Sequence, residues 1–164
     1  MKQAIAGVAP SQLGEVTVTI EWPTIAATGL GRFLGRLYEI KAGFWIFTIG
    51  RLFLGLTLPI GLFLFFWMLA PWSVRRYRLT NRRVVVEAGA KFRPQQYADL
   101  DHFDHIEIEV RPGQAWYPAG DMIFKLGQVE TLRLVGVGYP EAFRATCLKA
   151  HQSYVGVRKA MGAV

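Results

Sequence analysis

The chain carries one cysteine in 164 residues, Cys147, which excludes an internal disulfide and a four-cysteine zinc site and fits a reducing compartment. No Gly-x-Ser-x-Gly elbow is present, and Gly136-Val137-Gly138 is too short to cradle a phosphate. A long single-sign tail is also missing. With 52% hydrophobic and 13% aromatic residues, the composition excludes a disordered chain and predicts one compact domain with appendages. The apolar run at residues 4–9 is shorter than a secretory core, so no cleaved signal is expected. The longest absence is of charge: residues 52–72, LFLGLTLPIGLFLFFWMLAPW, contain none.

A helix of those 21 residues measures roughly 31 Å, about one hydrocarbon core, and the spacing predicts a transmembrane helix over residues 51–72. A buried helix of a soluble protein would show a polar stripe, and this run offers only Thr57. Trp67, Trp72 and Tyr77 crowd its C-terminal end and Trp45 lies upstream, where aromatic rings anchor at the membrane interface. Arg51, just before the uncharged run, can snorkel to headgroups or face a partner.

The formal charge of +7 is concentrated. Residues 75–93 hold seven basic side chains against Glu87 alone, and everything after residue 93 is nearly neutral. A nucleic-acid-binding face spread over the domain is therefore disfavoured. Arg75, Arg76, Arg78, Arg82 and Arg83 follow the apolar run, a placement that biases the C-terminal part toward the cytoplasm and equally attracts anionic phospholipid, at about 1 kcal/mol per residue near the surface. Basic residues also precede the run, at Arg32, Arg36, Lys41 and Arg51, so a rival topology stays open in which residues 42–72 dip in and return.

Four segments are expected. Residues 1–27 hold a short strand, EVTVTIEW at 15–22, in which Val16, Val18, Ile20 and Trp22 alternate with polar residues. Residues 28–50 place Leu30, Phe33, Leu34 and Leu37 on one helical face away from Arg32 and Arg36, suiting a helix in the membrane interface. Residues 51–72 are the span. Residues 73–164 change period: YRLTNRRVVV reads as a hairpin turning at Thr80-Asn81, HIEIEV at 105–110 as a half-wet strand, 114–117 and 121–126 as short strands, and Gly127-Gln128 as a turn into 129–137. Tyr139-Pro140-Glu141 then starts a helix over 140–161 whose Phe143, Cys147, Ala150, Tyr154, Val157 and Met161 form an apolar stripe. The fold class is α+β: an N-terminal transmembrane helix, then a small antiparallel barrel or sandwich capped by a C-terminal helix.

The pattern Y-x-L-T-x-x-R at Tyr77, Leu79, Thr80 and Arg83, and the step G-V-x-x-P-E-x-F at 136–143, resemble the bacterial membrane-flanked PH-like domain family over about residues 75–160. The resemblance implies a PH-like barrel on the cytoplasmic side of the bacterial inner membrane; many relatives place two membrane spans before the domain, whereas the one apolar run here predicts a single pass. It also implies an accessory or scaffolding role at the membrane and no known reaction; since the chain shows no reaction motif and no spread basic face, a structural or assembly role beside integral membrane protein subunits is expected, with no cofactor and no nucleic acid. Some relatives resemble assembly factors for photosynthetic membrane complexes.

Two constellations could carry chemistry. His102 and His105 lie in DHFDH, dense in metal-ligand types, and would support a metal-dependent hydrolase. On a strand, however, residues three apart point to opposite faces, so only a loop lets them share an ion. Cys147 precedes His151 by one helical turn, but on an apolar stripe the thiol reads as a core residue. No enzyme is expected.

Overall fold

A computed structural model describes residues 14–40, 43–44 and 47–162; Trp45 and the apolar run at 4–9 lie outside them. Strand β1 (Thr17–Glu21) opens the described chain. A 3-10 turn (Ile25–Ala27), helix α1 (Gly29–Tyr38), a two-residue hairpin of β2 (Gly43–Phe44) and β3 (Phe47–Thr48), and helix α2 (Ile49–Leu69) follow. Then come β4 (Arg75–Thr80), β5 (Arg83–Ala88), β6 (Arg93–Asp99), β7 (His105–Glu109), β8 (Ala119–Leu126), β9 (Val129–Gly138) and α3 (Pro140–Gly162).

The strands form two antiparallel sheets, β1-β4-β5-β6 and β7-β8-β9, besides the β2-β3 hairpin. Alternation sends Tyr77, Leu79, Val84 and Val86 inward from the first sheet and Ile106, Met122, Phe124, Leu132 and Leu134 inward from the second. Phe143, Cys147 and Ala150 of α3 close the core they share. The architecture is a sandwich capped by a helix, and the sheets remain separate rather than closing into the barrel that the sequence suggested.

Two further expectations are corrected. The long apolar helix is not N-terminal: β1 precedes it and pairs with β4 beyond it, at Thr19↔Leu79, Ile20↔Arg78 and Glu21↔Tyr77. Residues 114–117 form a turn instead of a strand, because Gln114 is drawn inward to polar partners described below. Strand β6 has no counterpart in the sequence reading. Its residues, RPQQYAD, are exposed except near the C-terminal end, so no alternation marks it.

The hairpin motif finds its physical reason here. Tyr77 reaches across to the second sheet, where its hydroxyl donates to the Val135 carbonyl at 2.8 Å and accepts from the Val135 N–H at 3.2 Å. Leu79 is fully buried. The Thr80 hydroxyl accepts the N–H groups of Arg82 and Arg83 and donates to the Arg83 carbonyl, closing the turn. Asn81 accepts the Val16 N–H at 2.9 Å, and Arg83 forms a forked pair with Glu15 at 2.9 and 2.5 Å, so both tie the hairpin to the strand that precedes α2.

Candidate membrane-facing site

Helix α1 starts at Thr28, whose hydroxyl accepts the Gly31 N–H, the usual way of satisfying a first-turn donor. Glycine within the helix lets it come close to the domain. A Cβ on Gly35 would lie 2.0 Å from the Gly113 carbonyl oxygen, so α1 is pressed directly onto the 111–118 loop. Arg36 adds a hydrogen bond to the Pro112 carbonyl, and the Arg32 guanidinium caps the carbonyls of Ala26 and Ala27.

That loop is itself held by a buried carboxylate. Asp121, fully buried, accepts the Gln114 side-chain amide at 2.7 Å and the Gly136 N–H at 2.9 Å on one oxygen, and faces the Arg111 guanidinium at 2.9 Å with the other. Gly136 sits at positive φ beside a break in the β8–β9 register, and its carbonyl accepts from both the Thr24 N–H and the Thr24 hydroxyl. Asp121 therefore connects the sheet, the loop under α1 and the segment leading into α1. Nothing in the sequence marks this aspartate, since a polar residue in a strand reads as a solvent-facing one.

Helix α2 runs back along α1. Leu34, Tyr38 and Leu64 form a small second core with Ile25, Leu37, Phe53 and Tyr117 around it, and the hydroxyls of Tyr38 and Thr57 meet at 2.6 Å. Thr57, the one polar residue of the uncharged run, also donates to the Phe53 carbonyl, so it is satisfied inside the helix pair. Residues 53, 57 and 64 fall on one helical face. The remaining faces stay uncovered: Leu56 is 76% exposed and Phe66 65%, and Leu52, Leu58, Leu62, Phe63 and Phe65 are exposed as well. Gly50–Leu69 is the one helix among the described residues long and apolar enough to cross a membrane. At its end Trp67 and Trp72 meet edge to face at 6.0 Å.

Beside the C-terminal half of α2, an apolar groove of about 690 Å³ is lined by Trp22, Ile25, Leu62, Phe65 and Met68, with Arg75 its one charged lining residue. Through Pro23, Met68 and Arg75 it joins a mixed chamber of about 730 Å³ bounded by Ser73, Tyr77, Gln95 and Gln96.

The five arginines of the sequence cluster separate. Arg76 and Arg78 both close on Glu87, at 2.5 and 2.8 Å, and Arg76 lies 3.7 Å from the Phe92 ring centroid. This neutralises the charge of a carboxylate that is almost fully buried, in the way a buried acid requires. Arg83 is committed to Glu15, and that guanidinium holds the Glu15 carboxyl down to about 2. Arg75 and Arg82 have no carboxylate partner among the described residues, and they lie at opposite ends of the β4–β5 hairpin, about 17 Å apart along the strand. Of the five, Arg75 shares a groove with residues of α2.

His102 and His105 are not brought together. His102 approaches Asp99 and Asp101 at 3.6 and 3.7 Å, a grouping that could hold an ion, while His105 pairs with Asp104 at 2.6 Å. Asp101 already carries an ion pair with Arg158. Cys147 is buried in the core, which pushes its thiol well above the usual range, and His151 turns away from it to the Leu100 carbonyl at 2.5 Å. The thiol and the imidazole therefore do not form an activated pair.

A sandwich of two antiparallel sheets closed by a C-terminal helix is the architecture of a PH-like domain. The chain matches the bacterial PH domain family over residues 16–151, including the strand before α2, and belongs to it. No curated protein and no solved structure matches it.

Proposed function

We propose that this protein is a non-catalytic PH-like module held at the cytoplasmic face of the bacterial inner membrane, serving as an accessory, structural or assembly subunit of a larger membrane protein complex. The observation that carries the reading is α2: an apolar helix whose only charge is Arg51 in its first turn, exposed on all sides but one, fastened by α1 and the Asp121 network to a domain of a family suited to binding lipids or proteins. An apolar surface of that extent marks a membrane or protein interaction site rather than a solvated one. Extraction in mild detergent, followed by mass spectrometry of what remains associated, tests it. Stoichiometric integral membrane subunits are expected, and photosynthetic ones are the outcome that the sequence resemblance implies. A protein that migrates alone as a monomer would overturn the subunit role.

One observation favours a second reading, binding of anionic phospholipid. Arg75, without a carboxylate partner among the described residues, lines the otherwise apolar groove, where a charged headgroup and an acyl chain would both find complementary surroundings. Arg76, Arg78 and Arg83 are occupied by the protein's own carboxylates and Arg82 lies at the far end of the hairpin from the groove, so this reading rests on Arg75 and predicts salt-sensitive binding to anionic vesicles that Arg75→Gln weakens.

A further inference from the structure

We infer that α2 does not cross the bilayer. It lies in one leaflet, with both of its ends and the whole folded domain on the same side. This deepens the membrane reading above and rests on it.

The argument begins with the strand pairing. β1 precedes α2 and β4 follows it, yet the two are hydrogen-bonded neighbours in one sheet, reinforced by the Glu15–Arg83 fork, the Val16–Asn81 bonds, the Pro23–Val137 bridge and the Thr24 N–H to the Gly136 carbonyl at 2.8 Å. A β-ladder cannot straddle hydrocarbon, so the chain before α1 and the chain after α2 share one aqueous compartment. An even number of crossings must lie between them.

The return leg for a second crossing is missing among the described residues. Helix α1 has ten residues, about 15 Å, half a hydrocarbon core. Its Arg32 and Arg36 are bound to backbone carbonyls of the folded domain, and Gly35 is seated on Gly113. The helix is therefore part of the domain. α2 in turn is tied at both ends: the Gly50 N–H donates to the Ile40 carbonyl at the end of α1, and at its other end the N–H groups of Ser73 and Val74 return to the Ala70 carbonyl before β4 begins.

Lipid, rather than a partner protein, is the occupant that fits the uncovered surface. A partner helix would cover one stripe of α2, but side chains on all faces except the one against α1 are exposed and apolar, with no polar face to lie level with the headgroups, which suits acyl chains closing around a helix sunk below them. Trp67, Trp72 and then Arg75 follow in the order in which interface anchors give way to headgroup contacts.

The test labels single cysteines with a membrane-impermeant maleimide in intact cells and in inverted membrane vesicles, using the full chain. Cys147 is buried and serves as the unreactive background, so the core need not be altered. Ser11→Cys reports the segment before β1, Glu39→Cys the connection between the helices, and Gln152→Cys the C-terminal helix. All three are expected to react from one and the same side. Reaction of Ser11→Cys from the side opposite Gln152→Cys would establish a single crossing, and reaction of Glu39→Cys alone from the opposite side would establish a helical hairpin that crosses twice; either overturns the inference and leaves membrane attachment standing. Release of the protein from membranes by an alkaline carbonate wash would overturn the membrane reading itself.

Discussion

Replacing Asp121 by asparagine changes one atom and tests the network that fastens α1 to the sheets. The new side chain can still accept the Gln114 amide and the Gly136 N–H on its oxygen, but its other terminal atom becomes an NH₂ facing the Arg111 guanidinium, a donor set against a donor at 2.9 Å in a site with no exposure on the aspartate side. Breaking a buried charge pair by removing one partner costs about 3–5 kcal/mol, and the lower end applies because the Arg111 side chain is one-third exposed and can turn to water. In a chain of this size each kcal/mol moves the melting temperature by about 2–4 °C, so a fall of roughly 6–12 °C is expected. The full chain in mild detergent, melted by tryptophan fluorescence, provides the reading. Arg111→Gln in the same chain should recover part of the loss, since the coupling between two contacting groups is what a double-mutant cycle isolates. A fall under about 2 °C, or strict additivity of the two changes, would refute the claim that Asp121 is the hub under α1.

Three more outcomes follow from the same structure. Gly35→Ala forces a methyl group against the Gly113 carbonyl, and the helix must move off the loop; a loss of about 1–3 kcal/mol is expected, with faster proteolysis between α1 and α2 as a second reading. The Glu15–Arg83 fork contributes stability above the normal carboxyl range, because Glu15 titrates lower when folded than when unfolded; this contribution is lost as pH falls toward 2, so the difference in denaturation midpoint between wild type and Arg83→Gln should shrink from pH 5 downward, from about 1 kcal/mol or less at neutral pH. Tyr77→Phe strands the Val135 N–H and carbonyl, costing about 1–3 kcal/mol, and a spectrophotometric titration should lose a tyrosine that ionises only near pH 12 because burial disfavours the phenolate.

The parts of the fold that were legible in the sequence are those in which one face is buried and the other is wet. The β4–β5 hairpin, the 105–109 strand, the long β9 and α3 all show their period, and α2 shows its length. β6 hides because nearly all its side chains are exposed, and the 114–117 turn hides because the residue that bends it, Gln114, answers to an aspartate seven positions away. The pairing of β1 with β4 is carried by contacts more than sixty positions apart, such as Val16 to Asn81, and no local pattern announces it. This is also why α2 looked like an N-terminal span. The arginine cluster was visible as charge, but its division into two residues on Glu87, one on Glu15 and two without a carboxylate among the described residues depends on where β1 and β5 place those acids.

Depth of α2 in native-like bilayers is the most direct measurement of the central claim. Spin labels placed singly at Leu52, Leu56, Phe63 and Phe66, the outward face of the helix, can be ranked by their access to oxygen and to a water-soluble nickel chelate. A helix lying in one leaflet places all four at nearly the same depth within the hydrocarbon. A crossing helix spreads residues 52 and 66 over about 21 Å along the normal, with the middle positions deepest, and that profile would contradict the account.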